Sequence, residues 1–176
     1  MNEFSERLIQ VPRKGSAFSF GPVALIVVPL VAILYQVYVS KFFEFLAFLD
    51  LPLLVTVYFS IMQRSPVAGL FTGGLIGLVQ DSLSHQPLGI LGIVKTLVGY
   101  FAASASLRFD ISNPAVRFIL GFFFFVFHHF LYWILVQALL GQDAAFAVGR
   151  VLLMALLNAV VAIPFFTLLD KLRVRG

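Results

Sequence analysis

Six long apolar runs joined by short polar connections constrain this chain more than any other feature. They fall at about residues 21–39, 43–62, 66–80, 88–107, 116–140 and 146–169. Their length and their lack of polar–apolar alternation read as helices rather than strands. A helix crossing a ~30 Å hydrocarbon core needs about 20 mainly apolar residues. A chain of 176 residues has room for about six of them with short loops. With 61% of residues hydrophobic and 11% charged, against roughly a quarter charged in a soluble domain, the chain cannot hide its apolar surface from water. Lipid must solvate much of it. The expected fold is all-α: one polytopic domain of six transmembrane helices over residues 21–169, with a cytoplasmic segment 1–20 and a basic cytoplasmic tail 170–176. Residues 1–20 lack the small-residue cleavage site of a signal peptide, so retention is expected.

The connections alternate in charge. Arg7, Arg13 and Lys14 precede span one, Arg64 lies between spans two and three, Arg108 and Arg117 bracket the four–five loop, and Lys171, Arg173 and Arg175 follow span six. Six spans put these nine cations on one side, whereas Lys41 and Arg150 fall on the other. An odd number of spans would scatter them. The positive-inside rule then places both termini in the cytoplasm. The net charge of +4 is thus mainly a topology signal, and no aromatic interleaving or fold motif points to nucleic acid. With no cysteine, a disulfide framework, a thiolate metal site and a thiol nucleophile are excluded.

Glycines stand four apart at Gly69, Gly73 and Gly77, with Gly74 beside them. On a helix they share one face, and small faces let membrane helices approach closely. Internal packing is the plainer reading, and docking of another protein's membrane helix the sharper one. The run then stops on a polar cluster of Gln80, Asp81, Ser82 and Ser84 at the outer turn. Ending at Gln80, span three is only about 22 Å long, so either the bilayer thins there or the helix extends through Ser82 to Ser84. Asp81 at a helix C-terminus opposes the macrodipole, which calls for a specific partner: a backbone donor, a cation or water.

Lys95 is the least expected charge, because it falls inside span four. A cation at depth is expensive and faces a partner or a wet cavity, unless its stem snorkels to the interface. Asp50 lies at matched depth, so a Lys95–Asp50 intramembrane ion pair is expected, with Asp81 as the second candidate partner. Pro52 either kinks span two or marks its start. Pro164 is a candidate kink in span six. Asn158 and Gln137 are expected to bond across helices.

Catalytic and metal chemistry lack their parts. His128 and His129 point about 100° apart on a helix and do not converge on one ion. Ser82 and Ser84 near His85 carry no argument for a triad. The glycine run lacks the Lys and Ser or Thr of a phosphate loop. No cofactor is expected.

The order of several elements carries a family resemblance. Asp50-Leu-Pro-Leu-Leu-Val-Thr-Val-Tyr58 is followed by Arg64-Ser-Pro-Val-Ala-Gly69. Next come Gly77-Leu-Val-Gln-Asp81-Ser-Leu-Ser84 and Pro87-Leu-Gly89, and Tyr100 stands near the end of span four. Over about residues 50–107 this resembles the MreD family of rod shape-determining proteins. The departures are His85 where a Gly is usual, and Pro-Leu rather than Asp-Leu after Asp50. The resemblance implies a non-enzymatic inner-membrane component of the bacterial wall-elongation machinery. Its partners would be MreC and, nearby, MreB filaments, the RodA glycan polymerase and its transpeptidase. It also implies a six-helix fold similar to the substrate-binding subunits of energy-coupling-factor transporters. That likeness supplies a rival function, a vitamin-binding transporter subunit, whose Ala-x-x-x-Ala docking pattern span one lacks.

Overall fold

The computed structural model describes residues 19–39, 42, 48–84, 89–141 and 145–174. Six α-helices account for most of them: α1 (Pro22–Leu34), α2 (Leu51–Gln63), α3 (Pro66–Ser84), α4 (Ile90–Ala105), α5 (Pro114–Leu140) and α6 (Val148–Asp170). A π-helical turn, Tyr35–Val39, continues α1. The strands β1 (Ser19–Phe20) and β2 (Arg173–Val174) pair antiparallel. This brings the two described ends of the chain to one end of the bundle.

Prolines set several starts. Pro22, Pro66 and Pro114 each open a helix, and Pro52 sits in the first turn of α2, where the missing N–H costs nothing. The helical part of span two is therefore shorter than the apolar run at 43–62. It begins at Leu51 behind a capping Asp50, so Pro52 starts the helix and does not kink it. Residues 43–47 lie outside the described residues. Span three runs on through Ser84, giving about 28 Å at 1.5 Å per residue. Pro29 and Pro164 lie inside α1 and α6.

The short α2 is the axis of the bundle. Every residue from Pro52 to Met62 is buried, as expected of a helix that is apolar all round, and α2 packs against each of the other five helices. Around it, α3–α4 and α5–α6 form two hairpins with the largest interhelical contacts. Three helices, α3, α5 and α6, are long and apolar enough to cross a membrane. The other three apolar helices are shorter.

Candidate functional site

The first turn of α2 builds a polar centre inside the bundle. Asp50 Oδ1 accepts the Leu53 N–H at 2.9 Å, a side-chain N-cap. The Asp50 N–H in turn donates to Asn158 Oδ1 on α6 at 3.0 Å. Asn158 is fully buried and donates through Nδ2 to the carbonyls of Phe48 (2.7 Å) and Met154 (2.9 Å). From α4, the fully buried Lys95 brings Nζ to 3.6 Å from Asp50 Oδ1. From α5, buried His128 brings Nδ1 to 3.9 Å from Oδ2. His128 stands about 21 Å along α5, and Asn158 about 15 Å along α6, from their first residues. The centre is therefore near the mid-height of the long helices. Two positive features flank one carboxylate there: the Lys95 ammonium and the N-terminal end of the α2 dipole. A charge at that depth needs compensation, and four helices converge on Asp50, while Lys95 Nζ and both His128 ring nitrogens stay buried with no hydrogen-bond partner.

Asp81 performs a second capping task. It sits in the last turn of α3, yet its carboxylate accepts N–H groups from the start of α4: Gly89 at 2.9 Å, Leu91 at 3.3 Å and Gly92 at 3.0 Å. It thus satisfies backbone donors that the first turn of a helix leaves free, where the dipole favours negative charge. The macrodipole conflict at the end of α3 is resolved by the beginning of α4. Gln80 is buried beside Asp81. Ser82 and Ser84 donate back along their own helix to the carbonyls of Leu78 (2.9 Å) and Gln80 (2.6 Å).

The glycine face is filled by α4. A Cβ on Gly69 would meet the Gly99 carbonyl and lie 2.8 Å from Ala103 Cβ. One on Gly73 would strike the Lys95 carbonyl, and one on Gly77 the Leu91 carbonyl. At Gly74 the obstacle is softer, Thr96 Oγ1 at 2.8 Å. From the other side, a Cβ on Gly99 would strike the Gly69 carbonyl. Backbone meets backbone along this seam, and α4 occupies the glycine face. The same seam fixes the height of Lys95, whose own backbone rests on Gly73. A gentler version joins α5 to α6, with Gly121 against Ala159 and Ala162.

A second charged cluster closes the opposite end of α2. Asp170 accepts Tyr58 Oη–H at 2.8 Å and pairs with Arg117 at 2.7 Å and with Arg173. Arg117 Nε also donates to the Ile111 carbonyl at 2.8 Å, and Arg173 reaches Met62 Sδ. In the sequence Arg117 and Arg173 read only as topology markers, and nothing local links Tyr58 to Asp170. The available signal was that all four residues fall toward the same end of their spans. His128, which the sequence offers only as a rejected metal ligand, lies at the mid-span depth of Asp50 and faces its carboxylate.

Among the described residues no group of His, Cys, Asp and Glu side chains forms a metal site. The rings of His128 and His129 stand 70° apart. His129 stacks on Phe125 with ring centroids 4.2 Å apart. His85, Pro87 and Leu88 lie outside the described residues. A family model described as rod shape-determining protein MreD matches residues 16–173. No curated protein and no solved structure matches the chain.

Proposed function

Because the chain belongs to the MreD family of rod shape-determining proteins, we propose that it is a non-catalytic integral membrane scaffold of the bacterial wall-elongation complex. In this reading it binds MreC and works beside RodA, its transpeptidase and MreB filaments. The family match over nearly the whole chain carries the proposal. The use of its carboxylates supports it. Asp50 and Asp81 cap helices, Asp170 joins three elements, and Asp110 accepts the Ser112 N–H at 3.0 Å. This chemistry orients helices.

The proposal includes a multi-pass position in the cytoplasmic membrane, with all six helices embedded and both termini in the cytoplasm. In support, Arg64, Arg108, Arg117, Lys171 and Arg173 gather at the end of the bundle where β1 pairs with β2, and Arg150 stands at the other end. The positive-inside rule assigns the richer end to the cytoplasm. A short α2 that starts near mid-depth is tolerated because its first turn is buried in protein and capped. A fold similar to that of energy-coupling-factor substrate-binding subunits belongs to the same reading. Vitamin binding is less well supported, since α1 carries Val28 and Gln36 where the transporter docking pattern needs alanines after Ala24 and Ala32.

The test is isolation from native membranes in mild detergent, with proteins and small molecules identified together. MreC is expected in the eluate, and depletion of the chain is expected to round the cells. A co-purifying vitamin with transporter ATPase subunits, and no MreC, would overturn the scaffold reading.

A further inference from the structure

The members of the mid-height centre differ in exposure. The Asp50 side chain keeps 16% of its surface exposed, whereas those of Lys95 and His128 keep 0% and 5%. Among the described residues, the Leu53 N–H is the one donor hydrogen-bonded to the carboxylate. Lys95 Nζ at 3.6 Å and His128 Nδ1 at 3.9 Å stand beyond hydrogen-bond length. An ionised carboxylate has about four acceptor sites, so most of its capacity is left for another donor.

Depth limits what that donor can be. At mid-height a lipid-facing surface would meet hydrocarbon, which offers no donor. An ionisable group there faces a partner or a wet cavity. The exposed part of this carboxylate therefore points to water.

Packing decides where water enters. Toward the basic end, every residue of α2 from Pro52 to Met62 is buried. Asp170 closes that end with Tyr58, Arg117 and Arg173. Toward the other end, α2 does not extend beyond its Asp50 cap, and Phe48, Leu49 and Asp50 are half-buried outside any α-helix. Non-helical backbone at membrane depth is tolerated where it is buried in protein or lines a water-filled cavity. On this side α5 carries Tyr132, one turn beyond His128 on the same face and within electrostatic reach of Asp81 in the last turn of α3. Polar groups thus mark the way from the Asp81 end of the bundle to Asp50.

We propose that a water-filled pocket enters at the Asp81 end of the bundle and reaches the Asp50 carboxylate at mid-height, with Lys95 and His128 as its closed wall. The pocket rests on the membrane placement of the bundle, but on neither the scaffold reading nor the choice of cytoplasmic side.

The chain contains no cysteine, so single cysteines in the full-length protein report on water without background. The probe is a membrane-impermeant cationic methanethiosulfonate, added separately to right-side-out and inverted membrane vesicles. Ala145→Cys and Ser112→Cys, in exposed connections at the two ends of the bundle, identify the sides. Leu49→Cys or its neighbour Phe48→Cys should be labelled to completion from the side that labels Ala145→Cys. Val55→Cys, at a fully buried position of α2, should be labelled from neither. Failure of both Leu49→Cys and Phe48→Cys to react, in variants that elute as folded species, would overturn the pocket. So would their labelling from the Ser112 side, or labelling of Val55→Cys as fast as theirs. Labelling of Ala145→Cys and Ser112→Cys from the same side would instead overturn the membrane placement, and the pocket with it.

Discussion

The two ends of α2 handle charge in opposite settings. At the first turn, Asp50 meets Lys95 and His128 at mid-height of the bundle, with Lys95 fully buried. At the last turns, Tyr58 and Met62 meet Asp170, Arg117 and Arg173, whose side chains keep between 10% and 25% of their surface exposed. The difference lies in the cations: Lys95 has no exposed surface, whereas Arg117 and Arg173 keep some and can fall back on water when Asp170 is lost. A buried pair broken on one side costs about 3–5 kcal/mol, whereas a pair that keeps access to water is worth less, falling toward about 0–1 kcal/mol at full exposure. The same ionic chemistry should therefore be indispensable at one end of a single helix and adjustable at the other.

The largest effect should come from a residue that carries no charge. Gly73→Leu would drive a side chain into the Lys95 backbone carbonyl, so both the α3–α4 seam and the position of Lys95 would be lost. No folded protein is expected by size-exclusion chromatography. Gly149→Ala is the matched control, because a Cβ there meets nothing, and it should be neutral or stabilising by about 0.5–1 kcal/mol. Survival of Gly73→Leu with normal stability would mean that the seam is not as tight as its geometry.

Asp50→Ala comes next. It removes a cap and strands Lys95, and should cost about 3–5 kcal/mol in reversible unfolding from mixed micelles. Arg117→Gln at the other end of α2 should cost less, about 1.5–3 kcal/mol, for its hydrogen bonds to a charged partner and to the Ile111 carbonyl. Arg173→Gln should cost about 1 kcal/mol or less. If Arg173→Gln proved as damaging as Asp50→Ala, the contrast between the two ends would collapse.

The sequence makes the Asp50 end of this contrast legible and the Asp170 end not, and what it hides has one cause. Glycine spacing announced a close approach on α3, because residues four apart stack, but it could not name α4 as the opposing surface. Lys95 and Asp50 were linked by depth alone. Depth puts His128 level with Asp50 but cannot turn it or Asn158 toward the carboxylate, since each lies on a long helix whose rotation about its axis is set only by packing. Asp81 looked misplaced at the end of α3, because a local rule sees one helix at a time and its donors belong to the next. The cluster at Asp170 was hidden for a similar reason: Tyr58 and Asp170 are 112 positions apart, and their shared end of the bundle emerges only once α2 and α6 are packed. The short α2 was obscured by an apolar run that begins before the helix does.

The most direct test of the mid-height centre is a double-mutant cycle on Asp50→Asn and Lys95→Met, read as unfolding free energy in mixed micelles. Asparagine keeps the cap on Leu53 and removes the charge, so the single variant isolates the loss of the counter-ion to Lys95. The account predicts that the double variant is more stable than Asp50→Asn alone, with a coupling of about 1–3 kcal/mol. Costs that simply add, leaving the double variant the least stable of the three, would contradict it.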